Sequence, residues 1–373
     1  MASPYFPPPD SWARCAPAEA GFDAARLAAA IAFAQANETP WPRDLLTPEG
    51  ELWYAVSMGE KPPMSEPLGP VETRDAPSGV ILRGGRIVGS WGDVARPQIT
   101  FSVAKSYLAI LAGIAVGRGL IPDLDAPVRQ SVGDGGFESD QNRTITWRQL
   151  LQQTSEWAGT LFDRPDSVDH NRSVGLSGSD GPKGERRAMR PPGAHWEYND
   201  VRVNRFSLSL LRMFDAALPD ILRDSIMTPI GASTSWRWEG YRNSTVDVGG
   251  RKLVSVPGGS HWGGGIFVSA LDHARIGLMV ARDGKWNGQR LLPEAWVRAM
   301  TTPCPLNPGY GLMWWLNTDH VGFKAAPTTS YFALGAGTHA IAIIPDHDIV
   351  LVARWIDKTR IEGLIEHVLG ALR

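Results

Sequence analysis

Apolar positions along the chain follow two periods, and each marks a different kind of element. Over residues 23–37, alanines and leucines recur at helical spacing, with Asp23 placed to cap the first turn. Residues 79–91 instead form two short apolar runs broken at Gly84-Gly85, the pattern of a strand pair joined by a tight turn of positive φ. From Ala104 an almost unbroken apolar segment runs to Gly117 and Gly119, which predicts a buried helix with a glycine stop. Helical spacing returns over residues 203–213 and 276–281. The C-terminal part alternates strand-like runs (310–316, 331–334, 339–344, 349–355) with Gly and Pro turns, and a last helix is expected from Arg360. Between Gly133 and Gly193 the composition shifts to Gly, Asp, Ser, Arg and Pro around an apolar segment at 145–151, which reads as a loop-rich helical insert.

Composition narrows the class of protein. Of 373 residues, 43% are hydrophobic and 20% charged, with a formal net charge of -2. That balance suits a globular protein and gives no electrostatic reason to expect nucleic acid or an anionic membrane as partner. A small-molecule partner is expected. The longest apolar candidate, residues 107–116, falls short of the ~18–20 residues that span a bilayer. The first residues lack a basic stretch followed by an apolar run, so no secretory signal is read there and a cytoplasmic location is expected. Cys15 and Cys304 exclude a disulfide framework, though not a single bridge; free thiols are expected.

The candidate chemistry starts at Ser102-Val-Ala-Lys105, where a helix start puts a hydroxyl and an amine on one face. A serine hydroxyl needs a neighbouring base to become a nucleophile, and a partly buried lysine with a depressed pKa can serve. The bland alternative is a serine cap beside a chance lysine. The chain has only seven lysines, however, and this is the one Ser-x-x-Lys pair. The eight histidines include no His-Glu-x-x-His, and neither a Gly-x-Ser-x-Gly elbow, a phosphate loop nor a dinucleotide fingerprint occurs. No metal and no cofactor are expected.

The hairpin, Phe101-Ser102-x-x-Lys105 and the apolar helix after it, taken in order, resemble the serine β-lactamase and penicillin-binding protein superfamily. The opening helix segment from Pro17, the Leu150–Ser155 stretch and the Gly263–Gly277 segment resemble its esterase/amidase branch. The resemblance implies an α/β fold of the α+β kind: an antiparallel sheet flanked by helices, from residues 1–119 and 241–373, with a mainly helical region, 120–240, inserted. It also implies a serine hydrolase acting on an ester or amide through an acyl-enzyme on Ser102, with Lys105 and Tyr198 as acid and base. An acyltransferase on the same machinery, or a catalytically weak binding protein of this fold, are the alternatives.

Tyr198 comes from the family's Tyr-x-Asn motif, which falls on Tyr198-Asn199-Asp200, with Tyr241-Arg-Asn243 a distant second. Asp200 stands where the family has asparagine, so either its carboxylate holds Lys105 charged and moves the base role to Tyr198, or Asn199 turns inward. The third motif, Lys-Thr-Gly or His-x-Gly, falls on Ala333-Leu334-Gly335, and the resemblance makes the N–H of Ala336 the second oxyanion donor beside that of Ser102. Absence of a cation at Ala333 makes penicillins and peptide ends less suitable substrates. Among the tryptophans near these motifs, Trp157, Trp196, Trp262, Trp314 and Trp315, an acyl-binding wall is expected first from Trp262 and Trp157. His261 and His339 lie beside motif segments and are candidates for substrate contact.

Overall fold

A computed structural model describes residues 4–9, 11–175 and 179–373. The apolar runs at both ends of the chain meet in one six-stranded antiparallel sheet. Its strands are β1 (Ser78–Arg83), β2 (Arg86–Trp91), β3 (Trp315–Leu316), β4 (Tyr331–Gly335), β5 (His339–Ile344) and β6 (Ile349–Arg354), in spatial order β3-β4-β5-β6-β1-β2. Gly84 and Gly85 turn the β1-β2 hairpin at φ +59° and +79°, a conformation that glycine adopts without a Cβ clash. β5 and β6 are buried along their whole length, which fits their near-continuous apolar sequence.

Helices cover both faces. Ala24–Ala36, capped by the Asp23 side chain, packs with Ile361–Gly370 over one face. Val103–Gly117 and Ala270–Ala281 lie on the other. Thirteen of the fifteen residues of Val103–Gly117 are buried, so this helix is apolar all round and its Lys105 is carried into the core. Residues 120–240 contribute Trp147–Leu151 and the long helix Asp200–Phe214, which packs against Val103–Gly117. This is the mixed α/β architecture with an antiparallel sheet that the sequence implies.

Two features differ from the reading of the sequence. Residues 310–316 do not form one strand: only Trp315–Leu316 pairs with β4. Gly311 donates its N–H to the Trp314 carbonyl and Met313 takes φ +57°, so the chain doubles back before it reaches the sheet. A small second sheet, in which Gly265–Val268 pairs with both Gln98–Ile99 and Arg237–Glu239, has strands too short to show a period in sequence. Among the described residues no helix is long and apolar enough to cross a membrane. Cys15 and Cys304 are both free.

Candidate active site

Three backbone segments define the place where Ser102 emerges. Phe101 adopts φ +49°, a strained value for an aromatic residue, and its ring is wedged edge-on against Trp41 and Trp355, at 5.5 and 6.1 Å between centroids. The strain turns the chain so that Ser102 heads the buried helix. Gly335, at the end of β4, passes so close that a Cβ there would lie 2.3 Å from the Thr100 carbonyl oxygen and 3.2 Å from the Ser102 nitrogen. Only glycine fits. Among the described residues, neither the Ser102 nor the Ala336 N–H is donated to another backbone group. Gly259 forms a third wall, where a Cβ would stand 3.1 Å from Lys105 Nζ and 3.6 Å from Ser102 Oγ.

Side chains then supply charge. Lys105 Nζ donates to Ser102 Oγ at 2.9 Å and is in direct contact with Asp200 Oδ1. The other Asp200 oxygen accepts from Arg172 at 2.7 Å, and Arg172 lies 3.4 Å from Asp169. The chain of charges continues through Lys183, which contacts Glu60 and lies 3.5 Å from Asp169. His261 Nε2 is 2.7 Å from Glu60, and its Nδ1 is 3.5 Å from Asp200. Tyr198 lies under both cations, its ring centroid 4.6 Å from Lys105 Nζ and 5.2 Å from the Arg172 guanidinium carbon.

The titration behaviour follows from burial and from these neighbours. Burial lowers the Lys105 pKa below the usual lysine value, and Asp200 opposes that fall. Asp200 is ionised far below the usual carboxylate range: burial works against its charge, but Arg172 and then Lys105 overcome it. Burial, reinforced by Asp200, raises the Tyr198 pKa, with hydrogen bonding to Ser102 acting the other way. Tyr198 is therefore a phenol at neutral pH.

A cavity of about 1110 Å³ opens over this arrangement, lined by Ser102, Tyr198, Arg172, Gly335 and Ala336. Its apolar walls include Trp315, stacked on Tyr198 at 5.7 Å, and Trp41. The structure thus brings Ser102, Lys105, Tyr198, Asp200, Gly335 and Ala336 together. Asn199 faces away: its side chain caps the helix Asp200–Phe214, accepting from Val201 and Arg202 N–H, and donates to the Asp166 carbonyl. Trp262 and Trp157 do not line the cavity; Trp262 is fully buried, and Trp157 donates to the Gly136 carbonyl. His339 is also buried behind the site, where its Nδ1 accepts from Arg354. Trp315, nearer the edge of the sheet, holds the position expected of Trp262.

Sequence reasoning missed Arg172, Asp169, Lys183, Glu60, Tyr54 and Gly259. The glycine pair Gly258-Gly259 was a usable signal of close packing; the charged residues had none, because they come from three segments with no shared spacing. Glu60, Asp169 and His261 place ligand atoms within 4.8 Å of one another, an arrangement open to a metal ion. The Lys183 ammonium, however, already answers both carboxylates.

Comparison with known proteins agrees with the fold. The family model "Beta-lactamase" matches residues 79–355. No curated protein matches the chain significantly. Among solved structures, a penicillin-binding protein homologue from Caulobacter crescentus superposes with a TM-score of 0.58 at 15% identity, covering 79% of this chain and 92% of that one. SurE in complex with D-Leu gives 0.58 at 17% identity, covering 93% and 76%. EstCE1, a hydrolase with promiscuous acyltransferase activity, gives 0.57 at 14%, covering 92% and 98%. At these identities the likeness to solved structures concerns the fold. With the family model spanning most of its length, this chain belongs to the β-lactamase family, whose fold generally carries hydrolytic activity.

Proposed function

We propose that the protein is a serine hydrolase that cleaves an ester or amide through an acyl-enzyme on Ser102. The observation that carries this reading is Ser102 Oγ 2.9 Å from the buried Lys105 amine at the wall of a large cavity, with Tyr198 lining the same space. Of the two candidate bases, Lys105 has its pKa moved toward neutrality and Tyr198 has its moved away. Lys105 accordingly takes the Ser102 proton as Oγ attacks the substrate carbonyl. The N–H groups of Ser102 and Ala336 receive the oxyanion, and the Tyr198 hydroxyl gives its proton to the leaving alkoxide or amine. Water then attacks the acyl-enzyme, giving its proton to the Tyr198 phenolate, and Lys105 returns its proton to Ser102 Oγ as the acid leaves, so that all three groups are restored.

A cavity of this volume exceeds what a small acyl group fills, so an alcohol or amine can occupy the acceptor position in place of water. That supports acyl transfer as a second reading. That Ala333 brings no cation to the third motif supports a substrate without a carboxylate at that position.

The test is intact-mass spectrometry after treatment with a fluorophosphonate, together with turnover of a p-nitrophenyl ester. One adduct on Ser102, and loss of at least ~10³-fold in turnover for Ser102→Ala with the fold retained, are expected. Absence of an adduct on folded protein overturns the reading in favour of a binding protein, and unchanged turnover in the variant overturns it by placing the nucleophile elsewhere. Nitrocefin hydrolysis is expected to be slow or absent.

A further inference from the structure

Tyr54, in the short helix Trp53–Ser57, lines the same cavity as Ser102 and belongs to none of the family motifs. Its ring is fixed by three neighbours: Trp41 at 5.1 Å, Phe101 at 5.9 Å and His261 edge-on at 6.0 Å. Phe101 directly precedes Ser102, so the phenol is held within reach of a substrate bound to the nucleophile. The Tyr54 oxygen lies 3.2 Å from Arg172 Nη2. A guanidinium has only donors, so Tyr54 must be the acceptor in this bond, and its own O–H hydrogen points elsewhere.

Among the described residues that hydrogen has no acceptor. The direction left to it is the cavity. Arg172 polarises the oxygen it donates to, which makes the O–H a stronger donor. Burial raises the Tyr54 pKa, so the hydroxyl stays protonated while it does this.

The surrounding charge selects what the hydroxyl can meet. Lys105, Arg172 and Lys183 are answered one for one by Asp200, Asp169 and Glu60. This wall therefore offers no spare cation to a carboxylate, and a carboxylate placed against it would face Asp200 and Asp169 behind the arginine. An uncharged oxygen suffers no such penalty.

Building on the hydrolase reading above, we infer that Tyr54 is a specificity-determining residue. Its O–H, turned into the cavity by Arg172, donates to a neutral acceptor oxygen of the substrate outside the reacting carbonyl. The substrates so selected are esters or amides that carry a second uncharged oxygen, such as an ether or an amide carbonyl.

The experiment compares matched ester pairs in which one ether oxygen replaces a methylene, in one series within the acyl half and in another within the alcohol half. In at least one series the wild-type enzyme is expected to prefer the ether-bearing member about tenfold in kcat/KM, and Tyr54→Phe is expected to bring that ratio to within about twofold of unity. Each ratio comes from a single preparation, so it does not depend on how much of the variant folds. Equal ratios in wild type and Tyr54→Phe, in both series, overturn the inference. Failure of the wild-type enzyme to turn over any member, with no fluorophosphonate adduct on Ser102, instead overturns the hydrolase reading on which it rests.

Discussion

Two buried ion clusters lie side by side in the protein, and only one of them touches the cavity. The first runs from Lys105 through Asp200, Arg172, Asp169 and Lys183 to Glu60 and His261. The second joins Glu156 and Glu197 to Arg187 and Arg202, with Arg202 also 3.2 Å from Asp166. Both are removed from water, so both carry the desolvation cost of buried charge and both need near-complete pairing to be tolerated. They differ in what lies at their ends. The second ends on backbone: Arg202 donates to the Trp157 carbonyl, and Asp166 accepts from the Gly159 N–H. It braces the start of the helix Asp200–Phe214 and so holds Tyr198 and Asp200 where they are. The first ends on the Ser102 hydroxyl. Buried charge by itself therefore marks architecture as readily as chemistry; contact with a nucleophile at an open cavity separates the two.

The sharpest way to break this comparison is Asp200→Asn. It leaves Lys105 and Arg172 facing each other without their shared carboxylate, and a loss of about 3–5 kcal/mol in unfolding free energy is expected by chemical denaturation. It also removes the group that opposes the fall of the Lys105 pKa. The neutral amine is the active base, so kcat/KM rises as pH rises through that pKa, and in the variant the rising limb should move to lower pH. A limb that stays in place would show that Lys105 is not the group titrating.

Gly335→Ala should act on rate with less effect on charge. A Cβ 2.3 Å from the Thr100 carbonyl has to push β4 away from the Ser102 turn, which displaces the Ala336 N–H. A fall of about 10²-fold in kcat, with fluorophosphonate labelling slowed in parallel, is expected. The smallest effect belongs to the second cluster. Glu156→Gln keeps the shape and leaves Glu197 to pair with both arginines, so a stability loss of about 1–3 kcal/mol is expected, with kcat per titrated active site within about threefold of wild type. The Glu156 carboxyl is held at about 2: burial opposes its charge, and the Arg187 hydrogen bonds and Arg202 overcome that. Its stabilisation is present above the unfolded value near 4.5 and is lost as pH falls toward about 2, so wild type and variant should converge in denaturation midpoint at low pH.

Legibility in sequence divides along the same line as the clusters. The Ser102–Lys105 pair, the β1-β2 hairpin and the helix Val103–Gly117 were visible because each depends on spacing within a few residues. The position of Gly335 beside Ser102 was visible only through resemblance, since more than two hundred residues separate them. Arg172 and Glu60 lie in irregular segments and Asp169 in a single 3-10 turn, Asp166–Asp169, and nothing local distinguishes a buried charge from a solvated one. Trp262 and Trp157 were misplaced for a related reason: proximity to a motif along the chain does not fix which side of the backbone an indole takes. Asp200 was legible as an anomaly, and its partner Arg172, which accounts for it, was not.

Ala333, which the resemblance sets in the place of the family's cation, is fully buried in β4 within the main apolar cluster. A lysine introduced there alone would enter packed hydrocarbon with no carboxylate supplied to meet it, and it would shed its proton sooner than hold a substrate's carboxylate. Converting this scaffold toward penicillin recognition is thus a problem of at least two coordinated changes, a cation and the space with a counter-ion to hold it. A laboratory lineage selected one substitution at a time would have to cross an intermediate less stable than either end.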